Sequence, residues 1–284
     1  MAESLQISGQ RSADLIEVRD MEMELAGQSC VVIGGASGIG LAIAQAFSKE
    51  GCLVGIVDRN GQALESLSDI DGVETFEGDI ASDTSMRASH DHFQKAFGRI
   101  DHVVVAAATT SGKFGFPFWN MEPSDWAHVV DVNLIGPVRV GHAYGPTLAE
   151  QGSGTMLFLV SVAAQMGSQT DPPYSAAKAG LVNFMQCAAK DLAPFRVRVN
   201  ALSPGMVRTP LNQQVWEASQ DQLPEAARQD YEVWADEKIQ KIAPLGQWQE
   251  PLEFGAMAVF LASPLAKNIT GQTLNIDGGQ VMHA

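Results

Sequence analysis

Tyr174 and Lys178 stand four residues apart in "PPYSAAKAG", with two alanines between them and small residues on every side. On a helix the i and i+4 side chains are neighbours, so this spacing sets a phenol beside an ammonium where little else fills the space. The plain reading is a tyrosine resting on a lysine stem. The chemical reading is proton transfer. A free phenol, with a pKa near 10, is almost fully protonated at neutral pH, and a cation one helical turn away lowers that value. A shift of about two to three units, roughly 3 to 4 kcal/mol, turns it into a usable base. The alanines and glycine around the pair leave room for two small molecules to approach.

A base for a hydroxyl proton is half of an alcohol oxidation; the other half is a hydride acceptor. "VVIGGASGIGLAIA" carries Gly34, Gly38 and Gly40 in a G-x-x-x-G-x-G spacing between an apolar run and a helical pattern. Glycine permits positive φ in such a turn and lets a pyrophosphate approach backbone N–H groups at a helix N-terminus. The strand-to-helix context marks a dinucleotide site, with Ser37 and Ile39 in the same loop. "CLVGIVDRN" then brings Asp58 to the end of the next apolar run, where a carboxylate meets both adenosine ribose hydroxyls and repels a 2′-phosphate. NAD is therefore expected over NADP, with Arg59 beside Asp58 as the contrary signal. Asp79, in "EGDI", reads either as an adenine contact or as a turn residue.

The elements that must position these groups are short apolar runs alternating with longer stretches of helical period: "SCVVIG", "CLVGIVD", "HVVVAAA", "GTMLFLVS" and "RVRVNALSPG". Runs that are apolar at nearly every position suit strands covered on both faces, which implies a parallel sheet with helices on each side. The expected fold is α/β, a single Rossmann-type doubly wound parallel sheet over residues 25–284. Residues 1–24 are polar and without steady periodicity, and are expected to form a loosely ordered extension. Residues 206–245 are polar, helical in composition and carry two tryptophans, so they read as a helical lid above the sheet.

A formal charge of −15 over 284 residues disfavours nucleic acid and anionic lipid as partners. Three cysteines, Cys30, Cys52 and Cys187, lie far apart and form neither a zinc spacing nor a disulfide framework. No segment approaches the roughly 18 apolar residues of a membrane span. A cytoplasmic enzyme with no bound metal and a small-molecule partner is expected.

Taken in order, the glycine loop, Asp58, "VNL" at Asn133, "VSVAAQ" at Ser161, "YSAAK" and "SPGMVRTP" resemble the short-chain dehydrogenase/reductase family from about Leu25 onward. In that family a serine stands thirteen positions before the tyrosine, as Ser161 does before Tyr174. The resemblance implies a catalytic set of Asn133, Ser161, Tyr174 and Lys178. Ser161 would donate to the substrate oxygen as an oxyanion stabiliser does, and Asn133 would hold a water linking Lys178 to solvent. Ile80 and Ala106 would join the cofactor site, and Pro204, Gly205, Val207 and Thr209 would wrap the nicotinamide. A homotetramer packed through the helices bearing Asn133 and Tyr174 is also implied. The chain departs from the family at Ile33, where a threonine is usual, and at Val105, Ala106, Ala107 and Ala108, where Asn-Asn-Ala-Gly is usual.

Three segments should overhang the reacting groups: "TTSGKFGFPFWN", "VAAQMGSQTDPP" and residues 206–245. They offer Phe114, Phe116, Phe118, Trp119, Met166, Met206, Leu211 and Trp216 with very few cations, which reads as an apolar substrate pocket. Several of these, Phe116 and Trp119 above all, suit loop packing equally well. The expected activity is NAD-dependent hydride transfer on an apolar cyclic or aromatic secondary alcohol or its ketone. Two alternatives stand: a 3-oxoacyl carrier-protein reductase, and a catalytically silent dinucleotide-binding regulator.

Overall fold

The computed structural model describes residues 22–282 apart from Phe114, Gln169 and Gln222. The extension expected over the first 24 residues therefore lies, up to Met21, outside the described residues, as does Phe114. Strand and helix alternate through β1 (Ser29–Ile33), α1 (Gly38–Lys49), β2 (Leu53–Asp58), α2 (Gly61–Glu65), β3 (Val73–Glu77), α3 (Asp83–Phe97) and β4 (His102–Val105). There follow α4 (Trp126–Val130), α5 (Gly136–Gln151), β5 (Gly154–Leu159), α6 (Pro172–Leu192), β6 (Val197–Pro204), α7 (Pro210–Gln220), α8 (Tyr231–Ile242), α9 (Pro251–Ala262) and β7 (Thr273–Ile276).

All seven strands are parallel and lie in the order β3-β2-β1-β4-β5-β6-β7. The order reverses between β1 and β4, and such a switch point opens a crevice at the carboxyl ends of the strands. Side chains alternate between two cores. Val31, Ile33, Val103, Val105 and Phe158 face one side, with Tyr144 of α5 and Leu181 and Met185 of α6. Cys30, Val32, Val104, Leu157 and Leu159 face the other, with Phe47 of α1 and Phe254 of α9. Burying each such side chain is worth about 1.5–3 kcal/mol, which is why runs apolar at every position read correctly as central strands.

Residues 206–245 form α7 and α8 with a short helical turn, Glu225–Ala227, between them. Their small core joins Met206, Ile239 and Ala243 to Trp234, Ile242 and Trp248. Between α4 and α5 the helix runs through a π-type turn, Asp131–Ile135, that carries Asn133. Such turns widen a helix locally and recur at functional sites.

Candidate active site

The glycine loop joins β1 to α1 and borders a cavity of about 370 Å³ at the switch point. Gly34 has φ of 80°, and a Cβ built on it would lie 2.5 Å from the Ala107 nitrogen. At Gly40 a Cβ would meet the Gly34 carbonyl oxygen at 2.1 Å. Only glycine closes this turn. Ser37 occupies the N-cap position of α1 without making a side-chain cap bond. It lines the cavity with Gly38, Ile39, Asp58, Asp79, Ile80, Ala106 and Thr209, all of them expected from sequence.

Asp58 accepts hydrogen bonds from Ala36 N at 3.1 Å and Asn60 N at 3.0 Å, which fix its carboxylate at the mouth of the loop. Asp79 accepts from Ala81 N at 2.8 Å and also lines the cavity, so its turn role and its site position coexist. The two family departures are bridged by main chain. Ala106 N and Ala107 N both donate to the Ile33 oxygen, at 2.8 and 3.0 Å, tying β4 to β1 where asparagine amides are absent. The alanines also keep the approach to Gly34 and Gly40 narrow.

A second cavity, of about 530 Å³, shares Ile39, Ala106, Thr209 and Leu211 with the first. Ser161, Tyr174 and Lys178 line it together with Pro204, Gly205, Met206, Val207 and Met166. Ser161 follows β5 and accepts from Ala163 N at 3.1 Å, while Ser175 donates to Ala163 O at 2.5 Å. These bonds lock the serine turn against α6. Asp171 caps α6, accepting from Tyr174 N at 3.4 Å and from Ser111 N at 2.8 Å. It thus anchors both α6 and the loop after β4. Neither Asp171 nor Ser175 was expected as a positioning residue, although an aspartate three positions before the tyrosine is an N-cap signal readable in sequence.

Lys178 is buried and donates to Leu159 O at 2.7 Å, with its Nζ 5.6 Å from the centre of the Tyr174 ring. Burial alone brings its pKa down to about 7. Tyr174 moves the other way, pushed up to about 12 by burial, with the Ser161 hydroxyl pulling it down and the Asp171 charge adding to the rise. Burial outweighs the Ser161 hydrogen bond, and the Lys178 ammonium is directed at a main-chain carbonyl.

Asn133 is fully buried, and its amide group donates to Thr109 O at 2.8 Å and Val129 O at 2.9 Å while its oxygen accepts from Thr109 N at 3.2 Å. It holds the loop after β4 onto the π-type turn. Both amide hydrogens are committed, so the structure displays a brace.

The aromatic residues divide. Met166, Met206 and Leu211 line the second cavity. Trp216 does not: its Nε1 donates to Gln229 O at 3.1 Å and its ring meets Tyr231 edge-on, so it packs α7 against the start of α8. Phe116, Phe118 and Trp119 are 53%, 71% and 69% exposed and line neither cavity. Their apolar character reports an outer surface. Besides Lys178, Lys238 of α8 enters the lining, from a segment expected to carry very few cations.

A family model described as enoyl-(acyl carrier protein) reductase matches residues 34–281. D-threitol dehydrogenase of Mycolicibacterium smegmatis is 32% identical over 92% of this chain and 95% of its own length. The 3-oxoacyl-(acyl-carrier-protein) reductase of Thermotoga maritima is 31% identical over 92% of this chain and all of its own. Among solved structures, a variant of actinorhodin polyketide ketoreductase with NADPH superposes with a TM-score of 0.82 at 28% identity, over 89% of this chain and 97% of the other. The chain belongs to the short-chain dehydrogenase/reductase family. It is an oxidoreductase of that family, acting on CH–OH groups and their ketones, with a site of the kind that takes a nicotinamide dinucleotide. Among the described residues no helix is long and apolar enough to cross a membrane.

Proposed function

We propose that the protein is an NAD-preferring dehydrogenase of an apolar cyclic or aromatic secondary alcohol, acting reversibly on the corresponding ketone. The observation that carries this reading is the meeting of Ser161, Tyr174 and Lys178 in a largely apolar cavity that shares its wall with the glycine-loop cavity. Gly34, Ser37, Gly38, Ile39, Gly40, Asp58 and Ile80 would hold the dinucleotide, with Pro204, Gly205, Val207 and Thr209 around the nicotinamide. When bound, it would supply the hydride acceptor and, in its oxidised form, a positive charge. Tyr174 takes the hydroxyl proton, and Ser161 donates to the substrate oxygen as charge develops there. Lys178, when protonated, brings the phenol down from the high value that burial imposes. A water relay at Asn133 would use a main-chain carbonyl of the π-type turn, because the side-chain amide hydrogens are spent.

Asp58 supports NAD, since a second anion at that carboxylate is repelled. The unit running from 25 to 284 with 206–245 as lid, a cytoplasmic location, and a homotetramer packed through the helices that carry Asn133 and Tyr174 belong to the same proposal. A second reading, reduction of a 3-oxoacyl group on a carrier protein, draws on the Thermotoga maritima relative. A net charge of −15 opposes docking of an acidic carrier. A silent binding protein has no use for a complete Ser161, Tyr174 and Lys178 set.

The test is absorbance at the reduced-nicotinamide band with NAD or NADP and a panel of secondary alcohols. Turnover of aryl or cycloalkyl alcohols with NAD, well above that of 3-hydroxybutyrate, is expected. No absorbance change with any alcohol, or with any ketone and the reduced cofactors, would overturn the reading.

A further inference from the structure

Lys238 lies in the last two turns of α8, half-buried, with its Nζ 4.4 Å from the centre of the Trp234 ring one helical turn before it. It lines the 530 Å³ cavity that holds Ser161 and Tyr174, and also a smaller cavity of about 300 Å³ beneath the lid. Among the described residues its ammonium has no carboxylate within ion-pair distance and no hydrogen-bond acceptor. This is unusual in so acidic a chain, and the reason is local. The carboxylates of its own helix are engaged elsewhere: Glu232 with Arg208 at 3.3 Å, Asp236 with Trp248 Nε1 at 3.4 Å and Glu237 with Gln229 Nε2 at 3.3 Å.

Among the described residues around the smaller cavity Lys238 is the only charged side chain. In the larger cavity the other titratable groups are Tyr174, Lys178 and Asp171, and Asp171 is bound to the main chain of Ser111 and Tyr174. Lys178 is directed to Leu159 O. A half-buried ammonium with only an aromatic face for company pays for desolvation without a counter-charge. An anionic group on a ligand would supply one, and a charge-assisted hydrogen bond in this partly dry setting is stronger than a neutral one.

We propose that Lys238 is a specificity-determining residue, recognising a carboxylate carried by the substrate on the side of its apolar body away from the reacting carbon. The inference rests on the proposed alcohol/ketone chemistry and amends its substrate: the cyclic or aromatic body carries a carboxylate, making it an amphipathic hydroxy or oxo acid. The small hydroxy acids stay poor ligands because they leave the methionine and leucine lining empty. Until the anion arrives the Lys238 ammonium faces the Trp234 ring.

Calorimetric titration into the full-length protein tests this with two aryl ketones of different reach, 4-acetylbenzoate and 3-(4-acetylphenyl)propanoate, each against its methyl ester. At least one acid is expected to bind ten times or more tighter than its ester at pH 7. Lys238→Met should erase that preference while leaving ester affinity within about twofold, and Lys238→Arg should retain most of it. Because burial brings the Lys238 pKa to about 8, the preference should fall as pH rises through that value. Equal affinity for acids and esters, a preference that survives in Lys238→Met, or no binding of any of the four would overturn the proposal. Reduction of the same ketones by NADH and NADPH is read separately. Binding that depends on Lys238 without reduction would remove the alcohol/ketone reading and leave the anion site standing.

Discussion

Both ends of the parallel sheet bury polar and titratable groups, but they treat them in opposite ways. At the amino ends of the strands, His102 is held between Thr155 Oγ1 and Gln28 Oε1, each at 2.8 Å. Ser29 donates to Arg99 O at 2.6 Å, Asp101 receives Ser29 N at 3.0 Å, and Arg198 donates to Leu261 O, Ala262 O and Ser263 O. Among the described residues, the cavity that borders Thr155, Leu261 and Ala262 is only about 10 Å³. At the carboxyl ends Ser161, Tyr174, Lys178 and Asp58 are aimed by neighbouring main chain yet face two joined cavities. Polar groups that satisfy one another hold a fold together, whereas polar groups that end at a cavity are available to a ligand. The contrast separates groups that close on one another from groups left facing a cavity.

The largest expected effect is at the carboxyl end. Tyr174→Phe should lower kcat/KM by 10³-fold or more, in line with the loss of a general base, while thermal unfolding stays within about 2 °C of the parent. Lys178→Ala should lose comparable activity, and the double variant should be little worse than either, because base and cation act as one unit. A matching fall in melting temperature in Tyr174→Phe would blur the division between the two ends.

At the amino end the effect should be on stability alone. His102→Leu leaves Thr155 and Gln28 without their partner and should cost about 1–3 kcal/mol in urea unfolding, with kcat/KM of the remaining folded protein unchanged. Burial lowers the His102 pKa from its ordinary 6.5 to about 4. Between those values the unfolded chain binds a proton that the native chain refuses, so this contribution is present above pH 6.5 and is lost as pH falls towards 4. The difference is on the order of 3 kcal/mol. Urea midpoints at pH 7 and pH 4.5 should differ less in His102→Leu than in the parent; an unchanged pH dependence would contradict this.

A smaller change is expected at Asp58. Asp58→Ser should raise kcat/KM with NADP relative to NAD by about tenfold through loss of repulsion at the 2′-phosphate. Paired saturation curves measure it, and a parent enzyme that already prefers NADP would assign the pocket to Arg59 instead.

Much of this was legible in the sequence. Runs such as "HVVVAAA" declare central strands because both faces of a parallel sheet are covered, and the glycine spacing declares the loop because no other residue fits at Gly34 and Gly40. Less legible were groups whose role depends on who stands opposite. Trp216 and Trp119 are both large and aromatic in candidate lid segments, yet one packs inside the lid and the other faces outward, a choice made by tertiary packing. Asn133 was expected as a relay, while its place in a π-type turn, braced to Thr109, has no periodicity signal. Lys238 was hidden for the converse reason: among Glu232, Asp236 and Glu237 it reads as one member of a solvated charged helix, and only the structure shows those acids turned to other partners.

The central claim is that Lys178 offsets the rise burial imposes on the Tyr174 phenol, and the pH dependence of alcohol oxidation tests it most directly. With the best alcohol of the panel and saturating NAD, log kcat/KM should climb with pH and level off well below 12, the value towards which burial drives the free phenol. In Lys178→Ala the residual activity should keep climbing to the highest pH the fold tolerates, with Lys178→Arg between the two. A plateau at the same pH in the parent and in Lys178→Ala would contradict the account.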